Sequence, residues 1–445
     1  VDVEGSMKRA RALLAMTALL GAQIAAAQQP PAPSPQPAAA PTLPLSLSVA
    51  TSTALQQVSA LQQAQIDEAI AAEDLRQARA ALLPRARDSF TITYNSPERG
   101  NPTVPSFIAQ NAIHEYQNLL GVAGDWNFGL IAAVRRSRAL LEAARAGTEV
   151  ARRALIRGVS EAYYGAALAA AKRDAAEQSL AAAEEFERVT CLNHQAGEVP
   201  EVDCIRARLQ TAARRDDLAQ ARQGEAIANA ALGTLLGYGI TQAPSIEALP
   251  QSIDARAVDD LTAAGVLRRP EFRQLGAQVR AAQHDVTIAR AGFLPKITYS
   301  VDKGFDTDTL RRDELRTHRG TLAMANVDVP LFDWGATYSR MRQAQLRERA
   351  AKVQRELMER DLYLQFATAR QEAITAAERV ENARRALADA ERNVTISIAR
   401  YRAGEAPISE ATDAQTTRAQ QRLALQQALF DFQVALAHLR EAAGE

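Results

Sequence analysis

The chain is poor in the residues that ordinary cores are built from. Only 5% of its 445 residues are aromatic, with two Trp, five Met and two Cys. Scarce aromatics and abundant Ala argue against a bulky globular core and favour long helices packed closely. Neither sign of charge dominates: 52 Lys and Arg stand against 52 Asp and Glu. That balance removes the electrostatic case for nucleic acid as a partner. Lys is confined to Lys8, Lys172, Lys296, Lys303 and Lys352, and Arg supplies the rest, which reads as genome bias. No apolar run in the mature part reaches the ~18 residues of a membrane helix, so any membrane role has to use strands. His114, His194, His284, His318 and His438 are scattered, and no glycine loop cradles a phosphate. No enzyme, cofactor or metal is expected.

Proline is missing from two long stretches, between Pro105 and Pro200 and between Pro330 and Pro407. Ala, Leu, Arg, Glu and Gln fill both, with apolar positions such as Leu140, Ala143, Ala144, Val150, Ala154 and Leu155 at three- and four-residue steps. Leu346, Ala350, Val353, Leu357 and Leu364 repeat the pattern. Each stretch has room for a helix of roughly 100 Å at 1.5 Å per residue, which needs partners along its length.

What is present is a duplication. Gln195-Ala196-Gly197-Glu198-Val199-Pro200 returns as Arg402-Ala403-Gly404-Glu405-Ala406-Pro407, and Leu83-Pro84 returns as Leu294-Pro295. Gly closes each helix, and Pro stops and restarts the chain. Return helices are expected from about Glu201 to Leu236 and from Ile408 to Leu439. Before each long helix comes a pair of alternating segments. In the first copy these are Ser89–Tyr94, with Phe90, Ile92 and Tyr94 on one face, and Leu120–Phe128. Between them lies a loop, Ser96–Pro105. In the second copy Ile297, Tyr299 and Val301 alternate with polar residues, a charged loop spans Lys303–Arg319, and Ala323–Val329 returns. Aromatics at the strand ends (Phe90, Tyr94, Trp126, Phe128, Phe332, Trp334) suit an interfacial girdle. A helix from Leu45 to Leu83 is expected to lead in, ended by Pro84.

Lys8, Arg9 and Arg11, an apolar Leu13–Leu20 and Ala25-Ala26-Ala27 read as an export signal. Val1–Ser6 precede Met7 and read as an added leader or an upstream start. No Cys follows the signal, so a lipoprotein anchor is not expected. The domain reading is therefore 1–27 leader and signal, 28–44 Pro-rich linker, 45–240 first repeat, 241–270 connector and 271–445 second repeat. The fold class is mainly α with β: duplicated helical hairpins carried on four strands.

Four strands cannot close a barrel, since membrane barrels begin near eight, and an open edge in lipid is prohibitive. Several chains would have to complete one barrel. Here the chain resembles the TolC family of outer-membrane export channels. The residues that carry the likeness are Leu45-Ser46-Leu47 with Ala54-Leu55, Arg269-Pro270-Glu271, Pro330-Leu331-Phe332-Asp333-Trp334-Gly335, and Tyr401-x-x-Gly404 with Asp413-Ala414-Gln415. The resemblance implies a homotrimer in outer-membrane lipid, with a twelve-stranded barrel continuing into a twelve-helix periplasmic tunnel. It also implies docking to a periplasmic adaptor and an inner-membrane pump of the ABC or RND type. Type I protein secretion and small-molecule efflux both fit, and the missing lipoprotein Cys leans to the first. A periplasmic adaptor and a structural coiled-coil protein are the other readings.

The same resemblance makes Gly197, Pro200, Gly404 and Pro407 the tip turns. It makes Tyr401, Glu410, Asp413 and Asp203 candidates for the constriction, where converging carboxylates would attract cations. Ala406 departs from the basic gating residue of the family. Glu410 and Asp413 also read as first-turn acids favoured by the helix dipole. Cys191 and Cys204 flank Gly197 across the hairpin, in a compartment that would be oxidising. A disulfide, two free thiols or a metal pair with His194 are the possibilities.

Overall fold

The computed structural model describes residues 45–99, 101–105, 112–238 and 244–444. The signal and the linker lie outside the described residues. The chain opens with α1 (Leu47–Ala54) and α2 (Ala60–Ala80) and climbs into β1 (Arg85–Tyr94). A small ribbon, β2 (Pro97–Glu98) with β3 (Asn101–Pro105), precedes β4 (His114–Trp126). The first hairpin is α3 (Phe128–Gln195) with α4 (Glu201–Leu236). A connector holds α5 (Arg256–Asp260) and a 3-10 turn at Ala263–Arg268. The second half runs α6 (Pro270–Ala291), β5 (Lys296–Thr307), α7 (Arg312–Thr317) and β6 (Arg319–Asp328). It ends in α8 (Ala336–Arg402) and α9 (Ile408–Ala443).

The single lead-in helix from Leu45 to Leu83 is corrected to two helices. Thr51 and Thr53 turn their hydroxyls back to the carbonyls of Leu47 and Val49, at 2.7 and 2.8 Å. Such back-bonding weakens a helix, and the chain breaks until Ser59 starts α2. The strands are also longer than alternation suggested. β1 begins at Arg85, and β5 runs into the expected loop as far as Thr307. The reason is that one face of the sheet carries charge. Arg85 reaches Asp125 at 3.3 Å, and Arg87 reaches the buried Asp302 at 3.6 Å. Gly121 makes room for that carboxylate, because a Cβ there would lie 1.9 Å from it. The opposite face carries Phe90, Ile92, Leu120, Val122, Tyr299, Val301 and Val327, all exposed.

The four long strands form one antiparallel sheet in the order β1-β4-β5-β6, so β1 and β6 are both open edges. Below it α2, α3, α6 and α8 pack side by side, and lower still α4, α3, α9 and α8. Ala lines the seams, as at Ala143, Ala166, Ala373 and Ala411. Small side chains let long helices approach along their whole length. Two larger clusters form a waist. One joins Phe432, Leu429 and Leu439 of α9 to Val266 and Leu249 of the connector. The other joins Leu45, Val159, Leu232 and Leu236, with the Tyr163 hydroxyl donating to the Leu45 carbonyl at 2.9 Å. Burial first, and then the charge of Glu247, push that phenol up to about 12. No helix among the described residues is long and apolar enough to cross a membrane.

Candidate gate at the helical tip

Both long helices end in the same turn. Glu198 donates its backbone N–H to the Asn193 carbonyl, and Glu405 donates to Arg400, each at 2.9 Å. This wrap needs a left-handed residue, and Gly197 (φ 77°) and Gly404 (φ 76°) supply it. Pro200 and Pro407 then hold extended backbone and start α4 and α9.

The turns differ in what closes them. In the first hairpin Cys191 and Cys204 are joined as a disulfide, Cα–Cα 4.7 Å. With both sulfurs bonded, no thiolate remains for the metal reading. His194 instead faces the Val199 carbonyl through Nδ1, at 3.1 Å. When Gly197 is superposed on Gly404, the equivalents of the two Cys are Ile398 and the buried Ala411. The second hairpin thus carries apolar side chains where the first carries the cross-link. A cross-link over 13 residues contributes about 3 kcal/mol by loop-closure entropy. Accordingly, Cys191→Ser with Cys204→Ser raises hydrogen exchange across 186–208 and leaves the second tip, 395–413, unchanged.

Tyr401 crosses between hairpins. Its ring lies 5.8 Å from that of Phe186 on α3, and its hydroxyl donates to Asp203 Oδ2 of α4 at 3.4 Å. Burial, and then the neighbouring Asp203 charge, hold this phenol above its ordinary value. Nearby, Gln210 donates to Gln415 at 3.1 Å, a second polar link from α4 to α9.

Glu410 is not a bare carboxylate. It is paired with Arg400 of its own hairpin. The superposition places Glu410 on Asp203, so the duplicated acid has two fates: Asp203 is held from the other hairpin and Glu410 from within. Asp413 is exposed, one turn further on. Sequence reasoning missed Arg400 because it sought a cation inside the turn, at Ala406. The available signal was a basic residue one turn before Gly404, beside Tyr401.

The sequence model of the outer membrane efflux protein family matches residues 50–238 and 266–445. The chain belongs to that family. Its location is the bacterial outer membrane. Among curated relatives, the toluene efflux pump outer membrane protein TtgC of Pseudomonas putida is 25% identical over 285 residues, which is 61% of this chain and 57% of TtgC. The pyoverdine export outer membrane protein OpmQ of Pseudomonas aeruginosa is 28% identical over 240 residues, 52% of this chain and 47% of OpmQ. The chain spans about half the length of these relatives. Solved structures share the fold. The CmeC outer membrane channel of Campylobacter jejuni superposes with a TM-score of 0.81 at 18% identity, over 89% of this chain and 85% of that one. VceC of Vibrio cholerae gives 0.78 at 21% identity, over 89% and 96%.

Proposed function

We propose that three copies of this chain form an outer-membrane channel that conducts substrate passively from a periplasmic adaptor and an inner-membrane pump to the exterior. The observation that carries the proposal is the sheet with two open edges, β1 and β6. Unpaired edge amides are not tolerated in lipid, and three such sheets joined edge to edge close a twelve-stranded barrel.

The helices support the same count. Leu346, Val353, Leu357 and Leu364 form an exposed row on α8 at the seven- and four-residue steps of a coiled-coil seam. Ile66 and Ile70 on α2, and Val202, Ile205 and Leu209 on α4, are exposed on the opposite flank. Each row is half of a seam, and a neighbour's flank supplies the other half. The energy for transport comes from the pump. The names of TtgC and OpmQ favour small-molecule efflux over protein secretion, against the lean to secretion expected from the sequence. The adaptor and coiled-coil readings find no support in this family.

At the tip, Tyr401–Asp203 ties the second hairpin to the first and Arg400–Glu410 braces the second from within, and together they favour a closed arrangement. The disulfide stiffens the first hairpin and leaves the second as the mover. Purified protein in planar bilayers is expected to give discrete single-channel currents. Preparations that float with vesicles yet pass no current would overturn the channel reading.

A further inference from the structure

The waist holds a groove that neither the sheet nor the tip uses. It lies between α1, the middle of α3 and the last turns of α9, and its volume is about 700 Å³. Sites for small molecules are of this size. Each helix lines it with one stripe. Leu47, Thr51 and Leu55 follow at four-residue steps along α1 and the residue after it. Ala50 and Ala54, on another side of α1, are buried and hold it to the cluster of Val159 and Leu232. The break after α1 is therefore what forms the groove: α1 packs on α3 and α4 and does not run on as part of α2. Arg153, Arg157, Ser160 and Tyr164 are the stripe of α3, and Leu436, Ala437 and Arg440 that of α9.

Most hydroxyls of the groove are already engaged. Thr51 donates to the Leu47 carbonyl at 2.7 Å, Ser52 to Val49 at 2.9 Å and Ser160 to Ile156 at 2.9 Å. These walls offer a ligand apolar contact. The cations, by contrast, are not matched. Arg152 and Arg153 share Glu149 at 3.6 and 3.7 Å, and Arg157 takes Glu441 at 3.1 Å. Arg440 pairs with no carboxylate among the described residues. Four guanidiniums against two carboxylates leave a surplus of two positive charges. Nη1 of Arg153 is buried with no acceptor, which is costly for a donor. Burial raises the Tyr164 phenol and the charge of Arg440 pulls it back, so that guanidinium acts on this hydroxyl.

We propose that this groove binds an amphipath with a phosphate-monoester head and a single alkyl chain. Such a head carries a charge of about −1.5 to −2 near pH 7, which matches the surplus. Arg153 from α3 and Arg440 from α9 offer it forked N–H groups, the geometry that suits phosphate. The chain lies along Leu47, Leu55, Ile156 and Leu436. In the lower layer α3 and α9 are the inner helices and α4 and α8 the flanks. The groove is thus complete within one chain and clear of the flanks at which copies would join.

Dodecyl phosphate is titrated into the full chain in dodecyl maltoside and its addition is followed by native mass spectrometry. Saturable addition of one dodecyl phosphate per chain is expected. Dodecanol and inorganic phosphate are each expected to bind at least about tenfold more weakly, since each lacks half of the ligand. Arg440→Gln and Arg153→Gln are each expected to weaken binding about tenfold, the size of one lost charged hydrogen bond. Arg349→Gln, on α8 outside the groove, leaves it unchanged. Arg440 is exposed and unpaired, so its substitution does not put the fold at stake. Dodecanol that binds as tightly as dodecyl phosphate overturns the phosphate head, and inorganic phosphate that binds as tightly overturns the chain. No addition at all, or binding unchanged in both Arg variants, overturns the site. None of these outcomes touches the channel reading, which the bilayer currents decide.

Discussion

Leu357→Asp is expected to abolish the proposed trimer. Leu357 lies mid-row on the exposed seam of α8, between Val353 and Leu364. Burying a Leu at an interface contributes about 2 kcal/mol, and a trimer uses three of them. The substitution removes that contribution and forces three carboxylates out of water with no partner, which costs more again. A loss of about 6 kcal/mol before the charge term is a drop of roughly four orders of magnitude in the association constant. Detergent-solubilised variant is expected to run as monomer, whereas the wild type and Leu357→Met are expected to run as a heat-resistant trimer. Unaltered trimer yield from Leu357→Asp would mean that this row faces water.

Opening the tip is the second large effect. Each Tyr401–Asp203 hydrogen bond is worth about 1 kcal/mol, so three of them bias the closed state by about 3 kcal/mol. Arg400–Glu410 is half exposed and adds less. Tyr401→Phe with Arg400→Ala is therefore expected to shift the closed-to-open ratio by about a hundredfold and raise mean conductance severalfold. A pH dependence follows from the raised Tyr401 phenol. The neutral hydroxyl is the donor to Asp203, so the link is complete below pH 10. It is lost as pH rises through the elevated folded value, when a phenolate would face the Asp203 carboxylate. Conductance climbs in that alkaline window in the wild type, and Tyr401→Phe removes the step. A Tyr401→Phe channel with the wild-type alkaline rise would assign the rise to another group.

Much of this architecture is legible in the residues alone. Two proline-free stretches and two Ala-Gly-Glu-x-Pro turns mark the helical hairpins, because Pro and Gly act locally on the backbone. The strands are harder to bound. Arg85 and Arg87 look like loop residues until Asp125 and Asp302 on a polar sheet face pair with them, and period-two hydrophobicity carries no trace of that pairing. The break after α1 was hidden for a related reason: its Ser and Thr hydroxyls compete for backbone carbonyls without changing the apolar pattern. At the tip the acids Asp203 and Glu410 were visible as residues, but their holders were not. Tyr401 reaches Asp203 from the other hairpin, and Arg400 reaches Glu410 across a turn. The first contact depends on two segments distant in sequence meeting, and the second on how the turn folds back. The disulfide was more accessible, since two Cys flank one turn.

The central claim is that the open edges of the sheet pair between copies. β1 and β6 are separated by β4 and β5, so within one chain they stand about 14 Å apart at ~4.8 Å per strand, too far for a disulfide. In a Cys191→Ser, Cys204→Ser background, cysteines at Ser89, Thr91 or Thr93 of β1 are combined with cysteines at Gly320, Leu322 or Met324 of β6. Oxidation in outer-membrane fractions is predicted to give, for the pairs in register, covalent dimers and trimers and nothing larger on non-reducing gels. Monomers alone across the whole scan, or an unbounded ladder, would contradict a closed barrel of three chains.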